Sequence, residues 1–176
     1  LSPTYSFDGE RIVFERRSRS SSRGAIMTIP ASGGDPSAIL MDEFDNRTPT
    51  FRPDGRHLVF DSDRTGGRNL WAIDIETGDL NQLTFESRYV SGISLSATNR
   101  LLYVPWWHDT FLFVVDVTTG ERHQLTSHTK ENFGARFAPD GRTIAYHSTR
   151  TGDCEIFLHH TDETPETRVT DTLGDN

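Results

Sequence analysis

Cys154 is the one thiol in a chain of 176 residues, and it stands between Asp153 and Glu155. A cysteine nucleophile works as its thiolate and needs a neighbourhood that stabilises the negative charge. Two flanking carboxylates do the opposite, so the position reads as a small residue where a loop enters a strand. A serine nucleophile on a strand-to-helix turn would show Gly-x-Ser-x-Gly, and the chain has none. Cys-x-x-Cys, His-Glu-x-x-His, a phosphate loop and a dinucleotide fingerprint are equally absent from the sequence. We therefore assign no catalytic residue and expect no cofactor.

The seven histidines are scattered. His159 and His160 are adjacent, so in a strand they point to opposite faces and cannot easily share one ion. Asp61-Ser62-Asp63 ahead of Gly66-Gly67 places several oxygens in one loop, but the set is too small for calcium. No metal site is expected. A lyase-like arrangement with a metal would require His147 and His108 to converge.

Recognition chemistry is better represented than catalysis. Pro105-Trp106-Trp107-His108-Asp109 places two tryptophans in a loop, where their large rings can anchor a partner or stack on a sugar. They can equally pack on a neighbouring loop. Arg16-Arg17-Ser18-Arg19-Ser20-Ser21-Ser22-Arg23 is a basic loop in an acidic chain. Guanidinium forks such as those of Arg17 and Arg19 bind carboxylates bidentately, though the same run also reads as a solvated loop. Arg64 and Arg150 occupy matching loops and read either as partner contacts or as bonds across the sheet. Trp106, Trp107, His108, Arg17, Arg19, Arg64, Arg150 and His147 are thus the candidate binding residues.

These residues must be positioned by something, and an internal repeat supplies it. Tyr5-Ser6-Phe7-Asp8-Gly9, Phe51-Arg52-Pro53-Asp54-Gly55 and Phe137-Ala138-Pro139-Asp140-Gly141 lie 46 and then 86 residues apart, the second step being twice 43. A degraded copy fits near Leu95–Arg100. Ile39, Leu83, Leu125 and Val169 form a second column, at steps of 44, 42 and 44. Each unit reads as four short strands. In the second unit these are Thr48–Arg52, His57–Ser62, Asn69–Ile75 and Leu80–Thr84, joined by turns of Asp, Gly and Pro chemistry. No segment has helical apolar spacing. Four-stranded units of this length are expected to be propeller blades, which bury their faces by stacking. The blades are placed at about 1–46, 47–88, 89–132 and 133–176 of a single all-β domain.

The phrases Thr48-Pro49-Thr50-Phe51-Arg52-Pro53-Asp54-Gly55, Leu58-Val59-Phe60-Asp61-Ser62-Asp63-Arg64-Thr65-Gly66, Asn69-Leu70-Trp71 and Gln82-Leu83-Thr84 resemble the TolB-like (WD40-like, PD40 type) β-propeller repeat. So do Ala138-Pro139-Asp140-Gly141, Ile144–Gly152 and Glu155-Ile156-Phe157. The first unit has Phe7 for the proline, and the third lacks the Pro-Asp-Gly turn. The resemblance implies a protein- or peptide-binding module that uses its loop face. It also fits the propeller portion of a prolyl-oligopeptidase-like or tricorn-like peptidase, or a carbohydrate-binding or lyase-like propeller. A periplasmic or extracellular setting follows from the resemblance alone, while a cytoplasmic one stays open.

Relatives of the repeat usually close with six to eight blades. Four blades imply a fragment of a longer propeller, two copies forming an eight-bladed ring, or four blades closing alone or standing as an open arc. Net charge is −8, which opposes nucleic-acid binding and docking on an anionic membrane. No apolar run is long enough to span a bilayer. One cysteine excludes an intrachain disulfide.

Overall fold

The computed structural model describes residues 3–17, 23–86, 89–105, 111–127, 130–162 and 164–171. These form sixteen strands and no helix. In chain order the strands are β1 (Thr4–Tyr5), β2 (Arg11–Arg17), β3 (Gly24–Pro30), β4 (Ser37–Leu40), β5 (Asn46–Phe51), β6 (His57–Ser62), β7 (Asn69–Asp74) and β8 (Leu80–Gln82). They continue as β9 (Val90–Leu95), β10 (Arg100–Pro105), β11 (Phe113–Asp116), β12 (Arg122–Gln124), β13 (Asn132–Phe137), β14 (Thr143–Ser148), β15 (Glu155–His160) and β16 (Thr167–Arg168). Each consecutive set of four is one antiparallel sheet, with strands paired in the order in which they occur.

The repeated Asp-Gly is explained by the turn it makes between the first and second strands. Asp54 Oδ1 accepts from the amides of Arg56 and His57, both at 2.9 Å, and Asp140 Oδ1 does the same for Arg142 and Thr143. The glycine that follows takes a left-handed φ of 66° at both Gly55 and Gly141. The third sheet has no Asp-Gly, yet it makes the same kind of turn one residue shorter. Asn99 stands in the glycine's place at φ 61°, a conformation that asparagine tolerates better than most residues. Ser96 Oγ takes over the aspartate's role, accepting from the amides of Thr98 and Arg100.

The Gln-Leu-Thr phrase also has a mechanical meaning. The fourth strand of the second sheet ends at Gln82, two residues before the expected end at Thr84. Thr84 has left the ladder and uses its side chain instead, accepting at Oγ1 from the amide of Leu70 at 2.9 Å. Thr126 receives Leu112 at 3.0 Å and Thr170 receives Ile156 at 2.8 Å in the third and fourth sheets. Three sheets thus fasten the start of their third strand with the same hydroxyl.

The chain divides into two compact units, Leu1–Tyr89 and Val90–Asn176. In the first, Val13 and Ile26 of the first sheet pack with Phe51, Leu58, Phe60 and Ile73 of the second, with Ile39, Leu40, Trp71 and Ile75 against them. In the second, Leu102, Val104 and Leu112 of the third sheet pack with Ala135, Ile144, Tyr146 and Phe157 of the fourth. Burying each large side chain contributes about 1.5–3 kcal/mol. The β6 strand is buried on both faces, as are most positions of β7. On one of those faces Leu58, Phe60 and Ile73 are covered by the first sheet, so that face keeps no polar side chains of the kind a half-exposed strand would carry.

A candidate binding end of the sheets

Antiparallel order brings four features to one end of each sheet: the start of the first strand, the loop between the second and third, and the end of the fourth with the link that follows. In the first unit this end holds a buried ionic cluster built around Asp45. Arg17 Nη2 donates to both oxygens of Asp45 at 2.8 Å. Arg47 Nε and Arg68 Nη2 donate to Oδ2, each at 2.7 Å. Arg68 Nη1 also bonds Asp61 and the Asp45 carbonyl. The cluster ties two sheets together, because Arg17 ends β2 while Arg47, Asp61 and Arg68 belong to the second sheet. Gly24 of β3 bridges Asp45 in parallel fashion, and its α-carbon passes so close to the Asn46 carbonyl that a β-carbon would collide with it.

Thr48 has an unusual backbone. It lies in the bulge of β5 at φ 47°, a left-handed value that a β-branched residue rarely adopts. Gly92 and Gly134 occupy the matching positions in β9 and β13, at φ 69° and 64°. Thr48 is held by carboxylates of two sheets: its hydroxyl donates to Asp61, and its amide donates to Glu15 Oε2 at 3.2 Å.

Burial works against the charge of Asp45, but Arg47, Arg17 and Arg68 outweigh it and hold the carboxyl at about 2. Burial dominates at Asp61 and pushes its carboxyl up, against the pull of Thr48 and Arg68. The cluster is therefore a set of mutually answered charges. Its outward donor capacity belongs to Arg17 and Arg47, whose side chains are 38% and 39% exposed. Among the described residues Arg17 spends only Nη2 on Asp45, and Arg47 only Nε and Nη2. Three large apolar side chains are exposed in the links at this end: Met41, Tyr89 and Phe85, the last at 81%.

Arg64 lies in the loop after β6 and is turned inward. It donates to Ser62, Asp42 and Asn46 at 3.0–3.2 Å and stacks over Phe44, Phe60 and Trp71. Arg150 repeats the inward pose in the fourth sheet, over the Phe157 ring and paired with Glu166. Glu166 also accepts from Tyr146 Oη at 2.8 Å and sits 3.0 Å from His159 Nδ1. Burial opposes the charge of Glu166, yet His159, Arg150 and Tyr146 hold its carboxyl at about 2. His147 faces the bulge of β13, with its ring 5.2 Å from that of Phe133. Arg19, Trp106, Trp107 and His108 lie outside the described residues. Of the candidate residues, the structure thus brings Arg17 to the cluster, holds Arg64 and Arg150 within their sheets, and sets His147 in the other unit. Cys154 is exposed. Among the described residues no three His, Cys, Asp or Glu are grouped so as to hold a metal.

No family model matches the chain. A TolB homolog of Chlorobium chlorochromatii is 28% identical over 104 residues, covering 58% of this chain and 23% of that protein. TolB of Acinetobacter baumannii superposes with a TM-score of 0.77 at 20% identity, over 93% of this chain and 42% of its own. This chain is built of TolB-like β-propeller blades. A puromycin-hydrolysing peptidase of Mycobacterium tuberculosis shares the fold, with a TM-score of 0.82 at 15% identity, over 100% of this chain and 30% of its own. An oligogalacturonate lyase in complex with manganese does so as well, at 0.77 and 17% identity, over 96% of this chain and 52% of its own. The chain thus spans about a quarter of the curated TolB homolog and under half of the TolB structure.

In blade terms, the Asp45 cluster belongs to the junction between the first and second blades. Asp45, Arg47 and Arg68 were not singled out from the sequence. Arg68 and Asp45 are 23 residues apart; the acid of Asp45-Asn46 recurs in Glu131-Asn132 and Asp175-Asn176, but Arg68 has no counterpart in the other units, so periodicity could not pair them. Phe85 and Tyr89 carried a usable signal. They are aromatic residues in a segment outside any ladder, the same feature that marked Trp106 and Trp107.

Proposed function

We propose that these TolB-like blades form a module that binds a protein or peptide at the loop end, in a periplasmic or extracellular setting. The observation that carries this reading is the pairing of two part-exposed guanidiniums, Arg17 and Arg47, with exposed Phe85, Met41 and Tyr89 at one end of the first unit. Aromatic and arginine side chains are the usual anchors of protein interfaces. The buried Asp45 pre-orients both arginines, which lowers the ordering cost that binding would otherwise carry. The favoured partner segment has an apolar anchor beside a carboxylate.

Selection of displayed peptides on the purified chain, followed by calorimetry, tests this. Peptides so selected are expected to lose at least tenfold in affinity for Phe85→Ser or Arg47→Ala and to be unaffected by Arg56→Ala, in the turn between β5 and β6 at the opposite end of the same unit. Peptides that respond only to the opposite-end substitution would overturn the reading. The peptidase likeness supports a second reading, in which the blades are part of a peptidase's propeller. That reading expects a hydrolase domain in the full-length protein and peptide cleavage by it.

A further inference from the structure

The link that follows each fourth strand starts at the same place in all four sheets, two residues beyond the column of Ile39, Leu83, Leu125 and Val169. The first unit has Met41 and Phe85 at this place, and the second has Ser127 and Asp171. All four are exposed. Serine and aspartate suit a solvated link. Apolar side chains displayed there by two adjacent blades are the kind of exposure that marks a contact surface.

Met41 is firmly presented. Asp42, beside it, accepts from the Phe44 amide at 3.1 Å, from Asn46 Nδ2 at 2.8 Å and from Arg64 Nη2 at 3.1 Å. The same link carries Asp45, on which Arg17 and Arg47 are held. The chain has two methionines. Met27, inside β3, is 3% exposed, whereas Met41 is 61% exposed.

A hydroperoxide acts on a thioether directly. The Sδ lone pair attacks a peroxide oxygen, the S–O bond forms as the O–O bond breaks, and the displaced oxygen leaves as water or an alcohol. Sulfur gives up two electrons and the peroxide takes them. The product is a polar, chiral sulfoxide, which a sulfoxide reductase returns to the thioether at the expense of a dithiol. Phe85 and Tyr89, the other large apolar side chains of this end, offer a hydroperoxide no such atom. Burial withholds Met27 from the reaction except when the unit opens.

We propose that Met41 is a reversible oxidation site that switches the binding end, its sulfoxide weakening the hold on an apolar peptide anchor. The switch rests on the peptide-binding reading of this end. Its physical basis is desolvation: an apolar anchor that covers the sulfoxide strips water from a strong acceptor and gives it no partner in return.

Peptide mapping by mass spectrometry after exposure of the chain to hydrogen peroxide is the first test. Met41 is expected to oxidise about tenfold faster than Met27, with the circular dichroism unchanged. A peptide recovered by display on the reduced chain is the probe for the second. Calorimetry is expected to show about tenfold weaker binding after oxidation, restored by methionine sulfoxide reductase. Met41→Leu should abolish the response to peroxide whatever its starting affinity. Cys154→Ser should keep the response, because that thiol lies in the other unit. Equal oxidation of the two methionines overturns the site. Selective oxidation that leaves a Phe85-dependent peptide as tightly bound as before overturns the switch and spares the binding reading, and so does a response that survives Met41→Leu. Peptides that ignore both Phe85 and Arg47 remove the binding reading and the switch with it.

Discussion

Thr48 shows how much a single residue can be asked to hold. Its left-handed backbone costs on the order of 1–2 kcal/mol, and the first strands of the third and fourth sheets avoid that cost with Gly92 and Gly134. The compensation is its hydroxyl on the buried Asp61 carboxylate, a charged hydrogen bond contributing about 1.5–3 kcal/mol. Thr48→Val keeps the strain and loses the bond. Thr48→Gly loses the bond but relieves the strain. The valine variant is therefore expected to be less stable than the glycine variant by about 1–2 kcal/mol, despite being the closer match in shape. Urea denaturation midpoints of the two variants decide this, and a glycine variant that is equally or more destabilised would show that the strain is negligible. None of this was visible in Thr48-Pro49-Thr50, because residue type says nothing of φ until the bulge is known.

At the scale of the strand, the repeat was largely readable because its markers have direct structural duties. Asp54 and Asp140 cap their own turns, Gly55 and Gly141 supply the left-handed φ, and Thr84 and Thr126 fasten a neighbouring strand. Where the duty passed to other residues, the pattern faded while the element survived. Asn99 and Ser96 make the third turn without either Asp or Gly. The binding end was less readable, since Asp45, Arg47 and Arg68 meet only after two blades have stacked. The threonine fastening yields its own expectation. Thr126 is buried, so Thr126→Ala leaves the Leu112 amide without its acceptor, at a cost of about 1–3 kcal/mol. Hydrogen exchange should show a loss of protection at Leu112 first. Unchanged protection there would mean that another group had taken the bond.

For the whole molecule, acid is the simplest probe of what the buried pairs contribute. Glu166 has a folded value near 2 against an ordinary 4.5. A carboxyl lowered on folding stabilises the protein above its unfolded value, and that stability is lost as pH falls through the folded one. The second unit is accordingly expected to weaken progressively between about pH 4.5 and pH 2. Glu166→Gln should be less stable than the wild type at neutral pH and lose less on acidification. Thermal unfolding at pH 6, 4 and 2.5 measures both arms, and parallel pH profiles for the two proteins would remove Glu166 as the cause.

Every strand in the described residues pairs with its neighbour in sequence, so no ladder waits for a distant part of the chain. Closing such short loops carries little entropic cost, and folds rich in local contacts form quickly. During synthesis, a blade can complete its own hydrogen bonding soon after its fourth strand leaves the ribosome. What remains is a side-by-side docking of preformed sheets, in which Gly24 passes the Asn46 carbonyl and Arg17 finds Asp45. The ionic cluster thus becomes a late checkpoint of assembly, one that closes only when two finished blades meet in the correct alignment.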